Sequence, residues 1–367
     1  MVKKIYIIAG EDSGDNIGSY LIEELSKHQV EISGEIFGIG GHKMATKGLK
    51  SLFPIKEISI MGFLEIIPKI PKILKLINLT VADILEKKPD ALITIDSPGF
   101  NLRVAKKVKK LAPNIKLIHY VAPTVWAYKE RRAEKFAKIY HILLLLLPFE
   151  KPYFDRVGLK SYFVGHPIWE NELWDEENIA NNKKQNIISF MLGSRVGEVK
   201  RHLEIFKPLY AKLKEAYPNF EYYLLATENT KTMFEGLDIE VVVDEAKKAE
   251  VISNSKLSIV KSGTGTLEFV KAKTPIIVFY KANKISVFIV RLSLKIKFAN
   301  LINITLNKML IPEFIQEQAT VDKIFSQASQ MLSQNTYDVN EAYKTLLSFK
   351  GEEKPSKMAS KIIMENI

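Results

Sequence analysis

Apolar residues come in short blocks along this chain, and polar or glycine-containing junctions follow each block. Lys3–Ala9 is the first block and reads as a strand. A helix follows from about Asp15, with Ile17, Leu21 and Leu25 on one face at helical spacing. Glu35–Ile39 is a second strand that turns at Gly40-Gly41. Ala91–Asp96, Lys116–Val121, His141–Leu147 and Tyr162–Val164 read as further buried strands, with helical stretches between them. After a polar, acidic stretch over Trp169–Gln185 the rhythm restarts. Ile187–Leu192 is a strand, Glu198–Tyr217 a helix, and Glu221–Ala226, Glu240–Val243, Leu257–Val260 and Pro275–Tyr280 are strands. Alternating strands and helices predict parallel, doubly wound sheets. The expected fold class is α/β, with two Rossmann-like doubly wound parallel-sheet domains facing a cleft. Their expected bounds are 1–168 and 186–345, with a helical tail over 346–367 that packs on the first domain or on a partner subunit.

One stretch departs from this rhythm. Ile60–Ile77 reads IMGFLEIIPKIPKILKLI. On a helical wheel, Phe63, Ile66, Ile67, Ile70, Ile73 and Leu74 share one arc, and Lys69 and Lys72 lie opposite. Pro68 and Pro71 break a continuous helix, so a loop giving way to a helix near Pro71 is predicted. An apolar face flanked by lysines suits a membrane surface, and it equally suits an ordinary core-facing helix. Lys281–Phe298 is a second basic and apolar stretch whose end alternates like a strand. The apolar run Ile139–Phe149 is too short to span a bilayer. The N-terminus MVKKIYIIAGEDSGD lacks the apolar core of a signal peptide.

Composition adds three constraints. At 367 residues the chain is long enough for two cores. It has no cysteine, so disulfides and thiolate metal sites are excluded. Its formal net charge of +11 points to an anionic partner, or to lysine spread over the surface. The basic residues lie mainly among aliphatics rather than aromatics, which argues against nucleic acid.

Candidate chemistry sits at strand ends, where open α/β sheets bind ligands. Gly10-Glu11-Asp12-Ser13-Gly14-Asp15 follows the first strand, and its acids suit ligand hydroxyls better than phosphates; a capped, solvated loop is the plainer alternative. Asp96 closes an apolar strand and precedes Ser97-Pro98-Gly99-Phe100-Asn101. A carboxylate there is partly desolvated, as a general base requires, although an Asx turn or helix cap also explains it. Gly193-Ser194-Arg195 precedes a helix and suits an anion, with Arg195 adding a rigid cationic fork. Ser262-Gly263-Thr264-Gly265-Thr266, with Glu268 one turn on, suits a nucleoside diphosphate: phosphates on the loop and ribose at Glu268. A capping box reads the same residues structurally. The six histidines form no metal-binding pair, and no Walker motif occurs, so neither metal nor cofactor is expected.

Taken in order, AGEDSGD (9–15), SIMGFLEII (59–67), TIDSPGFN (94–101), HYVAPTVWAY (119–128), LPFEK (147–151), VGHP (164–167), LGSRVGEV (192–199), SGTGTLE (262–268) and NITLNKMLIPEFIQ (303–316) resemble the lipid-A-disaccharide synthases, glycosyltransferases of the GT-B fold. The resemblance spans nearly the whole chain. It implies an inverting, metal-independent transfer from UDP-2,3-diacylglucosamine to 2,3-diacylglucosamine 1-phosphate (lipid X). The products are the β-1′,6-linked lipid A disaccharide 1-phosphate and UDP. It implies a peripheral enzyme on the cytoplasmic face of the inner membrane, meeting anionic lipids, with a homodimer also expected. Carried over by motif, Asp96 looks like the general base and Arg195 like the cation on the diphosphate. Gly193, Ser194, Ser262, Gly263, Thr264, Thr266, Glu268, Asn303, Glu313 and Gln316 fall to the donor. Glu11, Ser13, Asp15 and Asn101 fall to the acceptor. Phe63, Ile66, Ile67, Ile70, Ile73, Leu74, Lys69 and Lys72 fall to the membrane. The family's Gly-Arg-Glu within the last motif reads Asn307-Lys308-Met309 here. A UDP-sugar 2-epimerase of the same fold is the alternative; it needs no greasy segment at 60–77.

Overall fold

The computed structural model describes residues 3–28, 32–59, 69–171, 185–283, 296–333 and 337–367. Phe63, Ile66 and Ile67, the polar stretch 172–184 and most of the alternating segment 281–298 lie outside these residues. The chain forms two compact units. One comprises the residues up to Glu170 together with Phe349–Ile367, and the other lies within Asn171–Ser348.

The first unit is built on seven parallel strands: β1 Lys3–Ala9, β2 Ile32–Ile39, β3 Lys50–Ser51, β4 Ala91–Ile95, β5 Lys116–Tyr120, β6 Ile142–Leu145 and β7 Lys160–Phe163. Their order is β3-β2-β1-β4-β5-β6-β7. The chain therefore winds outward in one direction from β1 and in the other from β4. Ile5, Ile7, Ile93, Ile95, Ile118 and Leu144 pack on one face of the sheet with helix Asp12–Ser26. Tyr6, Ile8, Leu92, Leu117 and Leu143 pack on the other. Strands covered on both faces must be apolar throughout, which is why they read as continuous runs. The tail helix Pro355–Met364 joins the first layer against helix Asp12–Ser26, burying Ala359, Ile362 and Ile363. Phe349 O accepts from His166 N at 2.9 Å, and the Ser356 hydroxyl donates to buried Glu170 at 3.0 Å.

The second unit repeats the plan with β8 Gln185–Met191, β9 Glu221–Leu225, β10 Glu240–Val242, β11 Ser255–Lys261, β12 Ile276–Tyr280 and β13 Glu313–Ile315. Their order is β10-β9-β8-β11-β12-β13, again all parallel. The two doubly wound sheets follow the sequence pattern. The two strands with no sequence signal, β3 and β13, are two and three residues long and lie at sheet edges.

Helix Ile70–Lys87 takes Pro71 in its first turn, where a missing N–H costs nothing, and ends on left-handed Lys88. Ile77, Val81 and Ile84 are buried, while Ile70 and Leu74 remain 44% and 49% exposed. Ile73 packs partly on the core, Lys69 is exposed, and Lys72 pairs with Glu57. Among the described residues no helix is long and apolar enough to cross a membrane.

Candidate active site

In each sheet the winding reverses between two central strands, β1 and β4 in the first and β8 and β11 in the second. Loops diverge there and leave a crevice at the carboxyl ends, the standard place for a ligand in such sheets. Each of the four sequence candidates leaves one of these four strands.

In the first unit, Asp96 follows β4 directly, and its N–H still donates to Tyr120 O of β5 at 2.9 Å. Asp96 and Ser97 both adopt left-handed backbone, with φ of +52° and +43°. Two consecutive non-glycine residues in this region are held by their surroundings rather than by preference. The holding group is Asn101, fully buried, whose Nδ2 donates to Ile95 O at 3.1 Å and Asp96 O at 2.7 Å. Val121, at the end of neighbouring β5, is also left-handed at +77°. The Asp96 carboxylate accepts from Ser97 N at 2.7 Å and from the Ser13 hydroxyl at 3.3 Å. Gly10 has to be glycine here. A Cβ on it would lie 2.0 Å from Ser97 Cβ, so the β1 and β4 loops touch backbone to side chain. Glu11 is half-buried and Ser13 exposed at the same crevice.

Asp15 has another occupation. It is 5% exposed, and its two oxygens accept from Gly41 N at 2.7 Å, Lys43 N at 2.9 Å and Met44 N at 3.1 Å. These are the free N–H groups at the start of helix His42–Thr46, so Asp15 closes that helix from a distance. The first helix accordingly begins at Asp12, with Asp15 inside it rather than at its start.

In the second unit, Gly193 follows β8 with φ of +121°, and Arg195 caps helix Val196–Ala216, with Ser194 exposed before it. The Arg195 side chain, 43% exposed, lies 3.7 Å from Glu198 Oε1. Glu198 is 8% exposed and also lies 3.3 Å from the Lys261 ammonium. Tyr280 donates to Glu198 Oε1 at 3.4 Å. Behind them His202 is fully buried. Its Nδ1 bonds Leu192 O at 2.7 Å, so it carries the proton there, and Nε2 accepts from Lys281 N at 3.2 Å. Burial holds its pKa below the ordinary histidine value, and the ring is neutral scaffolding.

The loop after β11 divides its residues between the crevice and the frame. Thr264 and Gly263 are exposed, and Glu268 is half-buried in the first turn of helix Thr266–Lys271. Ser262 donates to Ala299 O at 3.0 Å. Thr266 is fully buried, donates to Gly263 O at 2.7 Å and accepts from Asn300 Nδ2 at 3.0 Å. Asn303 is likewise fully buried. It bonds Ile311 O and Glu313 through Nδ2, and Leu310 N and Ile311 N through Oδ1. Glu313 accepts from Ala299 N at 2.7 Å and Asn300 N at 3.1 Å, and burial raises its pKa. Gln316 is left-handed at +55° and accepts from Ala282 N at 3.3 Å. Ser262 and Thr266 therefore tie the segment 299–313 to the loop after β11, while Asn303 and Glu313 close that segment on itself. Lys261 was missed by sequence reasoning. Its signal was available, since it is a charged residue closing an apolar strand just before Ser-Gly, as Asp96 closes its own.

This architecture is shared with solved structures. The UDP-GlcNAc 2-epimerase of Methanocaldococcus jannaschii, solved with UDP-GlcNAc and UDP, superposes with a TM-score of 0.63 at 15% identity, covering 99% of this chain and 100% of that one. Acinetobacter baumannii MurG superposes at 0.60 and 14% identity, covering 99% of each. The fold is thus that of GT-B glycosyltransferases and their epimerase relatives. Sequence narrows the class. The family model described as lipid-A-disaccharide synthetase matches residues 5–367. The lipid-A-disaccharide synthase of Rickettsia bellii (strain OSU 85-389) is 44% identical over 99% of both chains, and that of Rickettsia prowazekii (strain Madrid E) 42% identical over 99% of both. The chain belongs to the lipid-A-disaccharide synthase family. It is a glycosyltransferase, a hexosyltransferase of lipid A synthesis, and its likeness to the epimerases is one of fold.

Proposed function

We propose that the two crevices divide the reaction, with the acceptor served by the first unit and the UDP-sugar by the second. The observation that carries this is the chemistry at the two reversals of winding: a carboxylate in one and cations in the other. The acceptor is 2,3-diacylglucosamine 1-phosphate and the donor UDP-2,3-diacylglucosamine. Asp96 takes the proton from the acceptor 6-hydroxyl as that oxygen attacks the anomeric carbon. UDP leaves from the opposite face, and one in-line step inverts the centre. Among the described residues the Asp96 carboxylate has two hydrogen-bond donors, which leaves it lone pairs for a substrate proton. Arg195, at the start of a helix of 21 residues, stabilises charge gathering on the leaving diphosphate. Gly193, Ser194, Gly263 and Thr264 let backbone approach the phosphates, and Glu268 meets the ribose. Glu11 and Ser13 line the acceptor side. Asp15, Asn101, Thr266, Asn303 and Glu313 hold these loops in place.

The exposed Ile70 and Leu74, with Lys69 and Lys72 on the same first turns of the helix, serve as a contact with the inner face of the inner membrane. The test is product analysis: purified protein with this donor and acceptor should yield the β-1′,6-linked disaccharide 1-phosphate and UDP. No disaccharide, under conditions where a relative makes it, defeats the reading. Co-sedimentation with phosphatidylglycerol vesicles, lost when Ile70 and Leu74 are made serine, tests the surface.

A further inference from the structure

Lys261 is the last residue of β11 and therefore stands at the point where the second sheet reverses its winding. Its side chain is 18% exposed. Two glycine turns enclose it. A Cβ on Gly263, where φ is +153°, would lie 3.2 Å from the Lys261 Nζ. One on Gly193 would lie 3.7 Å from its Cδ and 3.2 Å from Glu198 Oε2. The loops after β8 and β11 thus close on one ammonium group, which also lies 5.6 Å from the centre of the Tyr280 ring. Its carboxylate partner is incompletely served. Glu198 Oε2 is buried and makes no hydrogen bond among the described residues, and the ion pair at 3.3 Å is longer than an ideal charge-assisted bond. Arg195 shares the same carboxylate at 3.7 Å. Two cations thus meet at one carboxylate in a crevice walled by glycine, which is the setting for an anion.

We propose that Lys261 is a further donor-binding residue, its ammonium lying against the diphosphate of the nucleoside-diphosphate sugar, and that Glu198 positions it. This rests on the donor reading of the second unit. Glu198 holds the lysine between the two turns while the crevice is open to solvent. A diphosphate entering over Gly193 and Gly263 reaches the ammonium that a Cβ at either position would obstruct. The lysine then faces phosphate on one side and carboxylate on the other, with no covalent step of its own.

Calorimetric titration with UDP and, separately, with uridine tests this, because only UDP carries the charge in question. Lys261→Met should weaken UDP binding on the order of 10- to 100-fold and leave uridine within about threefold. Lys261→Arg should recover most of the loss. Removing the lysine alone strands a buried carboxylate, so Lys261→Met combined with Glu198→Gln provides a variant with the charge pair removed; it should show the same selective loss. Equal weakening of UDP and uridine, or wild-type affinity for UDP in the double variant, overturns the proposal. Wild-type protein that ignores UDP overturns the donor reading itself, and the proposal with it.

Discussion

The two crevices occupy the same place in the same topology, yet they are built by opposite means. In the first, the backbone is strained: Asp96, Ser97 and Val121 are all left-handed, and none is glycine. Such residues cost about 1–3 kcal/mol each. The charged group itself has two local donors among the described residues. In the second, the turns after β8 and β11 are relaxed by Gly193 and Gly263, and the charges are held by one another through Glu198. The contrast fits the proposed tasks. A base needs free lone pairs and a fixed direction, so the frame supplies the direction through Asn101 and leaves the carboxylate alone. An anion site needs several cations close together, and their mutual repulsion is offset by a carboxylate between them.

If that division is right, the largest effect comes from Asp96→Asn, which keeps the shape and removes the base. Turnover should fall roughly 10³-fold while affinity for UDP stays within about twofold. Near-wild-type turnover would remove Asp96 from the role. Arg195→Met should come next, lowering kcat/KM on the order of 10²-fold and weakening UDP as well. The comparison breaks if this variant leaves UDP binding intact, because the second crevice would then not be the one that holds the diphosphate.

The frame of both crevices was legible because it rests on periodicity. Buried parallel strands are apolar throughout, and eleven of the thirteen strands show as such. β3 and β13 did not show, since two or three edge residues carry no period. Asp96 was legible for a related reason: a charge closing an apolar run has few structural uses. Lys261 obeys the same logic but was obscured by the Ser-Gly-Thr-Gly-Thr run beside it. What sequence did not separate was which polar residues face a ligand and which face the protein. Asp15 sits among acids and glycines exactly as a ligand-binding residue would, and only the fold reveals the three N–H groups of residues 41–44 that it meets. Asn303 and Glu313 are similar, because their partners lie several residues away along a loop whose course no local pattern gives.

The units also differ in how they treat a buried carboxylate near a strand end, and this supplies the smallest and most specific test. Glu198 in the second unit has Lys261 and Arg195. Glu150 in the first, just beyond β6, is 3% exposed, and its donors among the described residues are neutral, including Trp126 Nε1 at 3.2 Å and Leu147 N at 3.1 Å. Burial pushes its pKa from 4.5 to about 7. The folded protein therefore keeps, between those values, a proton that the unfolded chain has released. A group of this sign lowers stability as pH rises through that window and has no further effect above it. Buried His119 and His166, held down at about 3 and about 4, work in the other direction: stability falls as pH drops below their ordinary value of 6.5. Both histidines remain in Glu150→Gln, so the difference between variant and wild type isolates the glutamate. Denaturant unfolding at a series of pH values should show Glu150→Gln gaining on wild type between pH 4.5 and 7, by on the order of 1–3 kcal/mol in all, with turnover unchanged. A flat difference across that range would mean that Glu150 is ionised in the folded state, and that the first unit, like the second, holds a compensating charge against its buried carboxylate.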